Sequence, residues 1–134
     1  MKHDNGGNCK RCAEMLEEAH EQIRYWYYRI EEAFPDVHVD RVWCGKEMQD
    51  QLVADKKSLL KWPNSKHNHM EDGKPCSLAM DLFRLIETAQ GQSAEFRAGF
   101  YVQIANWIDD QNAPIEWGGS WKHFKDLDHF QLKA

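Results

Sequence analysis

The chain has 134 residues, enough for one domain with a real core but too few for a catalytic domain plus a sizeable second module. Hydrophobic residues make up 42% and charged residues 29%, an ordinary globular composition. A net charge of −5 and a pI of about 5.8 exclude the basic stripe of a nucleic-acid binder and the polybasic patch of a membrane binder.

The opening "MKHDNGGNCKRC" lacks the apolar stretch of a signal peptide. No apolar run approaches the roughly 18 residues that span a bilayer. Cytoplasmic synthesis, no membrane insertion and a monomeric state are therefore expected. Residues 1–8, polar and glycine-rich, are expected to form a flexible arm ahead of a single domain over 9–134. Cys9-x-x-Cys12 is half of a zinc knuckle, and no second Cys-x-x-Cys follows. The expectation is reduced surface thiols near a helix start. The alternative is a second, structural zinc at Cys9 and Cys12, with two further ligands from Cys44, Cys76 or a histidine.

Met15, Leu16, Ala19, Ile23, Trp26, Tyr27, Ile30 and Phe34 recur at three- and four-residue steps, which predicts one long helix ended by Pro35. "DVHVDRVWC" (36–44) alternates as a strand, with a shift of period at Arg41 that predicts a bulge. Residues 46–60 read as a helix and 62–77 as a loop punctuated by Pro and Gly. "LAMDLFRLI" (78–86) reads as a central strand covered on both sides. Residues 93–113 read as a second strong helix capped by Ser93. "PIEWGG" and "DHFQL" read as two closing strands. The order predicts an α+β domain, a small antiparallel sheet backed by helices.

Asp81 stands inside the apolar strand "LAMDLF", where an unpaired carboxylate is costly. A metal, an arginine or water at a strand end would answer that cost. His67 and His69 lie in the loop just before Asp81, and His129 starts the last apolar strand. Two histidines and a carboxylate are a common ligand set for catalytic zinc with an open fourth position. Asp126, three residues before His129, is placed to act on the water of such a metal as general base.

Ser65-Lys66-His67, Ala79-Met80-Asp81, Trp117-Gly118-Gly119-Ser120-Trp121 and Asp126-Leu127-Asp128-His129 occur in that order. Together they resemble the zinc D-Ala-D-Ala carboxypeptidase and L-alanyl-D-glutamate peptidase family, which includes vancomycin-resistance dipeptidases and phage endolysins. The resemblance runs from about Val42 to Leu132. It implies one catalytic Zn2+ held by His67, Asp81 and His129, and Asp126 as base. It also implies a sheet with the metal on its open face, a peptidoglycan stem peptide as substrate, and action on the wall of a phage host after release. His69 is the rival ligand to His67, but Ser65-x-His67 fits the family pattern better.

Many family members carry an arginine where this chain has Cys44. Lys46 is the nearest positive substitute for contact with substrate or oxyanion, and Arg41 and Arg84 are other conceivable donors. Ser65 and Trp117 are further candidates for substrate contact, although Trp117 and Trp121 also suit packing under the Gly-Gly turn. Gly118 and Gly119 are expected in a tight turn with positive φ, and His123 at the surface. The missing arginine leaves an alternative: a zinc-binding module of the same fold, impaired in catalysis.

Overall fold

The computed structural model describes residues 9–122 and 125–133. The expected arm over 1–8 and the surface placement of His123 lie outside the described residues. The helices are α1 (Lys10–Leu16), α2 (Glu21–Ala33), α3 (Lys46–Ala54) and α4 (Ala98–Asp110). The strands are β1 (Val37–Arg41), β2 (Met70–Glu71), β3 (Lys74–Pro75), β4 (Ala79–Thr88), β5 (Gly91–Glu95), β6 (Ile115–Trp117) and β7 (His129–Leu132). The main sheet runs β1-β4-β7-β6, with β5 also pairing on β4, and every pairing within it is antiparallel. The fold is α+β with a small antiparallel sheet, as the sequence predicts. Among the described residues, no helix is long and apolar enough to cross a membrane.

Successive strand residues point to opposite faces. Val37, Val39, Met80, Leu82, Ile115 and Phe130 join one apolar core with Ile23, Tyr27 and Ile30 of α2 and Tyr101, Ile104 and Ile108 of α4. Burying such side chains is worth about 1.5–3 kcal/mol each before the entropy of ordering them is subtracted. Tyr27 and Tyr101 carry hydroxyls into this core, and each donates to a strand carbonyl, Val37 at 3.0 Å and Leu82 at 2.6 Å. Asp81 and His129 alternate with these core residues and occupy the other side of the sheet.

Three predicted elements are corrected. The long first helix is two helices, α1 and α2. Residues 17–20 leave the helix because their backbone bonds to Ser77: the His20 N–H donates to the Ser77 carbonyl at 2.9 Å, and the Ser77 N–H to that of Glu18 at 2.8 Å. Arg24 seals the break by donating to the carbonyls of Leu16 and Ala19, both at 3.1 Å. Ser93 does not cap a helix. It lies in β5, the return arm of a hairpin whose turn ends at Gly91, where φ is +108°. The helix predicted over 46–60 stops at Ala54, and the following loop contains a short 3-10 turn (Lys66–Asn68) and the small β2–β3 hairpin.

The bulge predicted at Arg41 is present and has a consequence for the site. Val39 pairs with Leu82, but Arg41, not Asp40, pairs with Asp81. Without the extra residue two aspartates would face each other across the ladder. The bulge advances the strand by one residue and sets an arginine there instead.

Candidate active site

Arg41, Asp81 and His129 form one row across β1, β4 and β7, because Asp81 is the register partner of both others. His67 reaches the same point from the 3-10 turn. Ser65 holds that turn: its hydroxyl accepts from the His67 N–H at 3.2 Å, and its own N–H donates to the Asn68 side chain at 3.1 Å. The loop is tied to the sheet side by the Cys44 N–H, which donates to the His67 carbonyl at 2.8 Å.

His67, Asp81 and His129 are all buried. His67 Nε2, Asp81 Oδ1 and His129 Nδ1 form a triangle with sides of 3.1, 3.1 and 3.2 Å. The outer ring nitrogens decide what this triangle contains. His67 Nδ1 lies 2.6 Å from the Val42 carbonyl, which can only accept, so that nitrogen carries the proton. His129 Nε2 lies 2.8 Å from Gln131 Oε1. The Gln131 amide is oriented by its own donation to Glu116 at 2.8 Å, which leaves its oxygen for His129. In these tautomers both inner nitrogens present lone pairs, and so does the carboxylate oxygen.

Three converging lone pairs repel unless a cation or a proton sits among them. A tetrahedral zinc with bonds of about 2.0–2.1 Å sets its donors roughly 3.3 Å apart, close to the observed spacing. The residues present therefore fit a metal ion, and these three form a group able to hold one. Without it a proton takes the place. Burial works against charge on His129, but the Asp81 carboxylate holds His129 above its ordinary value. Burial likewise opposes charge on Asp81, but the two imidazoles hold its carboxyl well below the usual range.

Asp126 Oδ2 stands 3.9 Å from His129 Nδ1, beside the triangle and not in it. Its N–H donates to the Gly118 carbonyl at 3.1 Å. A Cβ on Gly118 would lie 2.5 Å from the Asp126 carbonyl and 3.2 Å from His129 Cβ, so glycine is required by close approach. Neither Gly118 nor Gly119 has positive φ, which corrects the predicted turn; both lie in a 3-10 turn. Asp128, next to Asp126, is pushed up to about 8 by burial, by the Asp81 charge and by a hydrogen bond with Asp126.

A cleft of about 230 Å³ opens over the triangle. Arg41 lines it and donates to Asp81 Oδ2 at 3.0 Å. Ser65, Trp121 and Asp126 line it as well, and Leu59 and Leu60 form an exposed apolar wall.

Other candidates stand elsewhere. Lys46 is exposed on α3 and paired with Asp50 at 2.7 Å, not in the cleft lining. Trp117 stacks on Phe130 and donates to the Leu127 carbonyl, the packing role weighed against substrate contact. His69 bonds the Cys76 carbonyl at 3.0 Å and lies in a different group, with Glu71 and Cys76. Cys44 is buried with its thiol toward the Gly45 carbonyl, and Arg84 pairs with Asp36 and Glu95. Cys9 and Cys12 are buried, not at the surface, although Cys9 does cap α1.

Sequence reasoning missed Gln131 and Glu116, which fix the His129 ring. Strand alternation gave the only available signal: both are polar residues on the Asp81 side of short closing strands.

No protein-family model matches the chain, and no curated protein matches it. Among solved structures, the fold is similar to that of the L-Ala D-Glu endopeptidase ChiX of Serratia marcescens. The TM-score is 0.71 at 23% identity, over 92% of this chain and 87% of that chain. The two proteins share a fold.

Proposed function

We propose that this protein is a zinc-dependent peptidoglycan peptidase that hydrolyses the L-Ala–D-Glu or the D-Ala–D-Ala bond of stem peptides. The observation that carries the reading is the triangle of three lone pairs with one carboxylate beside it, open to a cleft. The fold shared with an L-Ala D-Glu endopeptidase supports the choice of substrate.

His67, Asp81 and His129 would hold the metal, which when bound polarises a scissile carbonyl and acidifies water. Asp126 accepts the proton of the attacking water and delivers it to the leaving amine. Because the Asp126 carbonyl accepts from the His129 N–H at 3.3 Å, base and ligand move as one unit. Arg41 presents a planar donor at the cleft floor, the charge that the chain lacks at Cys44. Arg41, Lys57 and Lys66 bring positive charge to the cleft lining, suited to a peptide that carries free carboxylates. The motif likeness to endolysins supports a place in phage lysis, acting on the host wall after release as a monomer. Arg41 in the cleft speaks against the alternative of an impaired module.

The test joins metal content to cleavage. Purified protein is incubated with peptidoglycan, and new amino termini are identified by mass spectrometry. A bound zinc with a new D-Glu or D-Ala terminus is expected. A bound zinc without any new terminus would sink the peptidase reading and restore the impaired module.

A further inference from the structure

A buried group of side chains able to ligate a metal lies outside the cleft. Cys9, Cys12 and His38 bring two thiols and an imidazole nitrogen within 4.8 Å of one another. They come from different elements, the start of α1 and the middle of β1, so the meeting is tertiary and not a by-product of local spacing. All three are buried, with exposures of 5%, 1% and 0%.

Each member is held in place. The Cys12 N–H donates to Cys9 Sγ at 3.1 Å, which orients that sulfur. The His38 ring stacks on Phe83 at 5.6 Å, and this fixes its plane. His38 Nδ1 then lies 3.4 Å from Cys12 Sγ. Ordinary core packing gives no reason to set an imidazole against two thiols.

We propose that Cys9, Cys12 and His38 supply three of the donors of a structural site for a thiophilic divalent cation, of which zinc is the natural example. Charge supports the class of ion. Two thiolates and one neutral imidazole around a dication sum to zero, the condition a buried site tolerates. Hard cations such as magnesium or calcium prefer oxygen donors. Binding exchanges two thiol protons for the cation, with no change of oxidation state. The ion would tie α1 to the edge strand of the sheet.

The probe is cobalt(II), titrated into reduced, metal-free protein. A sulfur-to-cobalt charge-transfer band is expected to grow to saturation, at one equivalent when the cleft ligands are removed. It should vanish in Cys12→Ser and persist in the double variant His67→Ala/His129→Ala. The cleft triangle has no sulfur, so this band is independent of the peptidase reading. If that reading fails, the band still stands; if the band fails, cleavage is untouched as evidence. Should Cys12→Ser not fold, X-ray absorption on the zinc-loaded wild type decides, with sulfur neighbours expected. No charge-transfer band, no sulfur neighbours, or a Cys9–Cys12 disulfide in protein prepared under reducing conditions would each overturn the site.

Discussion

The two buried clusters of this small protein use similar parts for opposite ends. His67, Asp81 and His129 lie under a cleft, and each imidazole has its outer nitrogen anchored by an acceptor. Cys9, Cys12 and His38 are sealed between α1 and β1 and use soft donors. An open side leaves room for substrate and water, whereas a closed thiolate site suits cross-linking of the fold. The proposed contrast rests on accessibility and donor softness, since each cluster brings three donors.

Chelation gives the largest expected contrast. A chelator should strip the open site first, with complete loss of cleavage, while the sealed site keeps its ion and the fold persists. Metal content, cleavage and circular dichroism followed together check this, and loss of fold before loss of activity would reverse the assignment. Asp126→Asn comes next. Cleavage should fall by about 10²–10⁴-fold with metal content unchanged, because a general base contributes that much. Wild-type rates would remove Asp126 from the mechanism. Gln131→Leu should weaken metal binding at the cleft by about 10–100-fold, since the acceptor that sets the His129 tautomer is gone. A competition titration measures it, and unaltered affinity would mean that the ring is fixed by other contacts. Lys46→Ala marks the small end. Its partner is Asp50 on the surface, so steady-state cleavage kinetics should not change; a large loss would return Lys46 to the oxyanion.

Strongly patterned segments were readable from the sequence because local preference and tertiary need agree in them. The strand around Asp81 is one, and the bulge at Arg41 is another. The candidate site was readable for a different reason: polar residues at His67, Asp81 and His129 sit where a core strand or its flank would otherwise be apolar, and the flanking motifs separate His67 from His69. The break between α1 and α2 was hidden because Ala19 continues the helical period, while its real partner is the backbone at Ser77, far along the chain. Ser93 was misread because a serine before an apolar face looks like a cap, although Gly91 marked the hairpin. His38 was invisible as a ligand. Between Val37 and Val39 it reads as an outward-facing polar residue, but in the fold it is buried against Phe83 and Cys12.

The row formed by Arg41, Asp81 and His129 also makes the centre a gauge of folding fidelity. The three residues meet because three strands are aligned in one register, and a slip of one residue would turn a member to the opposite face. A misaligned sheet could still bury much of its apolar surface, yet it would hold no competent set of donors. Metal uptake at the cleft would then report on which molecules in a preparation reached the correct alignment.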